Sequence, residues 1–320
     1  MHLKLLRAAA VVAVLGGTAT FGLGSTQMAM AATTNVDCST PDLITAMTDY
    51  VSGDTLNLAP HCTYWLTAQL PSVMHTLTIN GNGASLVRSH SASSFSVLVV
   101  GCANGNLTLE NVNITNGGGP SDEDGGAIDV TNNSASLTIY GGTFSNNNVT
   151  EYGGAIDNEG TLTVQGATFT DNGAEYGGAI YSDNNVSNAT LTHDSFIGNS
   201  AYEGGAINND DNNMVINSGN FRYNTADEGG AIYNDFKVTT NNTLFSMNTA
   251  SGEDAEGGAI YNNDETVILN HTLVEVNRAR GGGGGIYDYD SGSVTLHFDQ
   301  INQNIPDNCE PTEFIDGCVG

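Results

Sequence analysis

The chain has 320 residues, of which 35 are acidic and only seven are Lys or Arg, a formal net charge of −28 with His neutral. So negative a surface repels nucleic acid and anionic lipid, and leaves cations and neutral sugars as the partners its charge favours. Forty Gly, together with no apolar run of the roughly 20 residues that span a bilayer, argue against long helices and against membrane insertion.

In chain order, residues 1–31 read as a secretory leader. Lys4 and Arg7 precede or flank an apolar stretch from Ala8 to Leu15, Gly16, Gly17, Gly22 and Gly24 break it short of a span, and Ala29-Met30-Ala31 supplies small residues for cleavage. A chain starting near Ala32 keeps Arg88, Arg222, Lys237, Arg278 and Arg280 against the 35 acids, a formal charge of −30. An extracellular or cell-surface location follows, and with it oxidised cysteines. The simplest pairing is Cys38 with Cys62 and Cys309 with Cys318, leaving Cys102 as a buried thiol; the alternative is five free, small apolar side chains. No compact run of Cys and His has the spacing of a metal cluster.

The next segment, 32–62, reads as an N-terminal cap. Ser39 or Thr40 offers a helix N-cap, Pro41 suits a first turn, and Leu43, Ile44, Met47 and Tyr50 form an apolar stripe. Short β-prone runs then follow at Leu56-Asn57-Leu58, Leu77-Thr78-Ile79, Phe95 to Val100 and Leu107-Thr108-Leu109. Most of these fall in residues 63–123, expected as irregular coils of the same domain.

From Asp124 to Asn304 the chain repeats itself. Gly-Gly-Ala-Ile begins at Gly125, Gly153, Gly177, Gly204, Gly229 and Gly257, and a variant begins at Gly283. Phe-x-x-Asn stands between them at Phe144-Asn147, Phe169-Asn172, Phe196-Asn199, Phe221-Asn224 and Phe245-Asn248, fading to Val274-Asn277 and Ile301-Asn304. The linking runs, such as Leu162-Thr163-Val164 and Val267-Ile268-Leu269, are too short and too β-branched for a helical repeat. A period near 26 residues, split into three strands and three turns, makes one coil of an all-β, single-stranded right-handed parallel β-helix with a short N-terminal capping helix. Ile128, Ile156, Ile180, Ile207, Ile232, Ile260 and Ile286 are then one core stack, and the Phe residues another. The Asn residues of the second word are expected to bond turn to turn. Residues 305–320 are a closing segment, and 32–320 is one domain.

The two words resemble the repeats of the polymorphic outer membrane protein family, within the pectate-lyase-like right-handed β-helices, from Asp124 to Asn304. That resemblance implies a surface or secreted passenger, often tied to adhesion, here without a translocating outer-membrane barrel. The ends, Asp37-Cys38 with Leu43 and Ile44, Pro60-His61-Cys62-Thr63-Tyr64 and Pro306-Asp307-Asn308-Cys309, are similar to those of secreted actinobacterial β-helix proteins of unknown role.

Two polar rows flank the glycines. Before them stand Glu151-Tyr152, Glu175-Tyr176, Tyr202-Glu203, Glu228 and Glu256; after each Ile stand Asp129, Asp157, Tyr181, Asn208, Tyr233, Tyr261 and Tyr287. As a groove, the Tyr faces would stack on sugar rings and the carboxylates would bind hydroxyls or Ca²⁺, with Asp122, Glu123 and Asp124 the candidate Ca²⁺ ligands. As a structural feature, the same Tyr would pack on neighbouring coils and the acids would solubilise a rod. Asp129 and Asp157, stacked on adjacent coils, could repel enough to raise one pKa, a route to general acid chemistry. Arg278 and Arg280 are the candidate bases for a lyase. The preferred reading is a non-enzymatic β-helix that binds a surface polysaccharide or envelope glycan and requires no cofactor. The alternatives are a polysaccharide lyase or glycoside hydrolase, and a structural surface rod.

Overall fold

The computed structural model describes residues 31–119, 124–183, 188–263, 265–289, 292–311 and 315–318. The β-prone runs become short strands of three parallel sheets with eleven, ten and nine members, so that each regular coil contributes one strand to each sheet. One such coil runs Ile156–Asn158, Thr161–Gln165 and Thr168–Thr170. We call these the Ile, Leu and Phe sheets after their inward residues. The fold is thus a parallel β-solenoid of three strands per coil with, among the described residues, one short helix.

Alternation decides what faces inward. In Thr161–Gln165, Leu162 and Val164 are buried while Thr161 and Gln165 are exposed. Register runs without a slip: Leu137 pairs with Leu107 and Leu162, Phe169 with Phe144 and Phe196, and Ile180 with Ile156 and Ile207. Shifting one strand by one residue would turn its whole apolar set to solvent, so burial itself holds the register. All seven recurring isoleucines are fully buried. The five phenylalanines stack with ring centroids 5.0, 4.9, 4.6 and 4.8 Å apart. Each such aromatic pair contributes about 0.5–1.5 kcal/mol beyond the area it buries.

The Asn of Phe-x-x-Asn closes the corner after the Phe sheet. Asn172 Nδ2 donates to the carbonyl of Phe144 at 3.0 Å and to Asn199 Oδ1 at 2.9 Å, and its backbone N–H donates to that same oxygen at 3.1 Å. Asn199, Asn224, Asn248 and Asn277 repeat the arrangement up to Asn304. The site needs two donated hydrogens and an acceptor oxygen on one short side chain, which Asp, Leu and Ser each fail to supply. A second ladder at the opposite corner was not expected from the repeat words: Asn209 donates to Asn234, Asn234 to Asn262 and Asn262 to Asp288.

The paired glycines meet two separate demands. Gly153 has φ +59°, and a Cβ there would lie 2.0 Å from the carbonyl oxygen of Ile156. At Gly154 a Cβ would lie 2.2 Å from the carbonyl oxygen of Gly178 in the next coil. The first therefore makes the bend and the second lets successive coils touch.

At the N-terminal end, the helix Thr40–Asp49 buries Leu43 and Met47. Ser39 is its N-cap but makes no side-chain cap bond, and Ile44, expected in the apolar stripe, is exposed. One turn of this short helix fits against the solenoid, and residue 44 falls on its flank. Tyr50 lies at the helix end, where its hydroxyl accepts from the N–H groups of Met74 and His75. Strands Thr33–Val36, Thr63–Leu66 and Ser85–Arg88 extend the sheets beyond the runs read from sequence, and only Leu98–Val100 of Phe95 to Val100 is a strand.

Both terminal disulfides form, Cys38–Cys62 and Cys309–Cys318. Cys309 also takes the ladder position of Ile286 in a last two-residue strand, Cys309–Glu310, so the closing segment ends the Ile sheet with a buried side chain. Cys102 is half-buried and not enclosed as expected, because it sits in a turn where its Sγ hydrogen-bonds to the carbonyl of Met74 at 2.8 Å.

Candidate functional site

In each three-residue strand of the Ile sheet, the first and third residues point in and the second points out. The outward row therefore runs, one coil at a time, through Asp129, Asp157, Tyr181, Asn208, Tyr233, Tyr261, Tyr287 and Glu310. A parallel row from the residue before each glycine pair runs through Asp124, Tyr152, Tyr176, Glu203 and Glu228 by single bridges, and continues to Glu256, whose carbonyl accepts from Gly229 N–H. A third row, unremarked in the sequence, lies three residues beyond the Ile: Glu159, Asp183, Asp210 and Asp235. Its signal was present, an acid at one fixed offset in four successive coils.

The tyrosines mostly face one another. Tyr233 and Tyr261 stack at 5.1 Å with rings 4° from parallel, and Tyr261 and Tyr287 at 5.3 Å. Tyr233 and Tyr261 are buried, so the open ring faces expected for sugar stacking are absent there. The Tyr287 hydroxyl hydrogen-bonds to Glu256, and burial together with that carboxylate pushes it up to about 12. Tyr152 stacks on Tyr176 at 5.4 Å and tilts 43° against Tyr181 at 4.6 Å. Tyr202 is exposed and stands outside the row, as do Glu151 and Glu175, each one residue before a row member.

Where these rows meet, a half-open pocket of about 210 Å³ is lined by Tyr152, Tyr176, Tyr181, Glu203, Asn208, Asp210 and Asp235. The Tyr181 hydroxyl donates to Asp210 Oδ2 at 2.7 Å, and Asn208 Nδ2 donates to Glu203 Oε2 at 3.2 Å. Burial, reinforced by Glu228 and Asp235, pushes Glu203 up to about 7 against the lowering effect of the Asn208 bond. Asn208 Oδ1 is buried without a hydrogen-bond partner.

Asp129 and Asp157 are register partners on adjacent coils. Burial first, and the Asp129 charge second, hold Asp157 well above the usual carboxylate range, and its Oδ1 makes no hydrogen bond. Arg278 and Arg280 are not brought to this pair. Arg278 is exposed on the row Asn148, Gly173, Ser200, Thr225, Thr249, Arg278, five coil steps from Asn148, which leads into the strand of Asp157. At roughly 4.8 Å per step that is some 24 Å. Asp122 and Glu123 lie outside the described residues; Asp124 is half-buried in the flanking row. Among the described residues, no group of three or more His, Cys, Asp or Glu is arranged to hold a metal ion, and no helix is long and apolar enough to cross a membrane.

No curated protein matches the chain. Residues 166–183, which hold one copy of each word, Phe169-x-x-Asn172 and Gly177-Gly178-Ala179-Ile180, are similar to the Chlamydia polymorphic membrane protein (Chlamydia_PMP) repeat.

Proposed function

We propose that the chain is an extracellular or cell-surface β-helix that binds a glycan along the outward face of the Ile sheet without turning it over. Right-handed winding accompanies this reading, since a crossover between parallel strands of one sheet is right-handed in about 98% of cases. The leader-like start, the two disulfides and the surface-protein repeat over residues 166–183 support the location. The observation that carries the function is the continuous outer row from Asp129 to Glu310, in which tyrosine hydroxyls and carboxylates recur at coil spacing beside a second acidic row. A polymer of repeating hydroxyls meets such a row over several units, and many weak hydrogen bonds add.

Asp157 favours a second reading, a glycoside hydrolase in which its raised carboxyl is the acid and Asp129 its partner. The distance of Arg278 and Arg280 from this pair lends the lyase no support. A glycan screen with and without Ca²⁺, read for retention and for released product, tests all of this. Retention without product is expected; product release overturns the binder, and retention of nothing leaves a structural rod.

A further inference from the structure

We infer that the pocket between Tyr152, Tyr176, Tyr181, Glu203 and Asp235 receives a protonated primary amine, carried on the glycan as a free amino sugar. The identity of the carrier rests on the glycan-binding reading; the preference for an amine rests on the pocket.

Three features of the pocket point to that chemistry. Its wall is acceptor-rich: Glu203, Asp210 and Asp235 line it together with three tyrosine rings, and no Lys or Arg does. Asn208, only 2% exposed, lines the same space, and its Oδ1 has no donor. An ammonium group offers three donors and is attracted to aromatic faces within about 6 Å, so it satisfies carboxylate, amide oxygen and ring together. The volume of about 210 Å³ far exceeds the roughly 10–15 Å³ that admits one water. A divalent metal suits the wall less well, because the carboxylates do not converge as a ligand set among the described residues. Hydroxyl-only sugars would leave the negative charge of the wall uncompensated, and an N-acetylated sugar brings no positive charge to it.

The test titrates the full chain with a tetramer of β-linked glucosamine, its fully N-acetylated counterpart, and methylammonium, at pH 7 in moderate salt. The amino tetramer is expected to bind at least tenfold more tightly than the acetylated one. Glu203→Gln combined with Asp235→Asn is expected to remove that preference without lowering Tm, because Gln at 203 relieves a buried carboxylate. Asp49→Asn combined with Glu265→Gln removes the same charge from exposed positions and is expected to leave binding unchanged. Equal binding of both tetramers overturns the amine site and keeps the glycan reading. Equal loss in both double variants reduces the attraction to bulk charge and overturns the site as well. Methylammonium binding that Glu203→Gln weakens, with neither tetramer retained, keeps the amine site and overturns the amino sugar as its carrier. Binding of no probe overturns the amine site.

Discussion

Within a single strand, Ile207–Asn209, two regions of the molecule obey different rules. Both Ile207 and Asn209 point inward: Ile207 repeats the Ile above and below it, and Asn209 bonds upward into the amide ladder at Asn234, with Ser182 in the same place below. Asn208 points outward between Tyr181 and Tyr233, and no two-coil pattern holds along its row for long. A stacked interior demands the same shape at each level because each residue is its neighbour's packing partner. Outside the stacked Tyr233, Tyr261 and Tyr287, the outer row has no such demand, so a departure from repetition there is where a particular ligand can be specified.

That contrast can be broken from the inside. Gly178→Val places a side chain where even a Cβ would meet the carbonyl oxygen of Gly205 at 2.2 Å, and the loss is expected to exceed about 5 kcal/mol and prevent folding, read as loss of soluble, cooperatively melting protein. Phe196→Ala interrupts the ring stack between Phe169 and Phe221 and is expected to cost about 3–5 kcal/mol in urea unfolding. Asn199→Leu leaves the N–H and Nδ2 of Asn172 without their acceptor and the carbonyl of Phe169 without its donor, for a loss of about 2–4 kcal/mol.

Acidity sharpens it from the outside. Burial raises Asp157, and raises Asp194 and Glu203 to about 7, in Asp194 against the backbone hydrogen bonds from Ala167, Thr192 and Gly166. Carboxylates whose folded pKa exceeds the unfolded value of about 4 bind more protons in the native state between those limits. Stability is therefore highest below the window and is lost as pH rises through it, so Tm is expected to climb by several degrees from pH 8 to pH 5.5; a fall over that range contradicts the assignment. The smallest effect is Tyr181→Phe, which removes the bond to Asp210 and is expected to cost about 1 kcal/mol of stability while weakening amino-sugar binding.

The sequence exposed those parts of the molecule that repetition marks. The Ile and Phe stacks and the Asn172 ladder stood out because one residue type occupies one offset, which a shared interior enforces. The second ladder did not, since Asn158, Ser182, Asn209, Asn234, Asn262 and Asp288 satisfy the same corner with three residue types. Ile44 and Cys102 lie in segments without a repeat, where burial depends on the local seat of a helix or turn. Tyr and Glu of the candidate site were visible at their offsets, yet the pocket was not. Tyr152, Tyr176 and Glu203 share the offset before the glycine pair, but only the fold shows that their row meets Asn208 and Asp210 across it.

Hydrogen–deuterium exchange of the full chain, with and without a retained glycan, tests most directly whether recognition belongs to the outward face of the Ile sheet. Added protection is expected at residues 176–183, 203–210, 228–235 and 256–263, with the outward Thr row of the Leu sheet unchanged. Protection centred on Thr138, Thr163 and Thr190, or spread evenly over all three sheets, would contradict it.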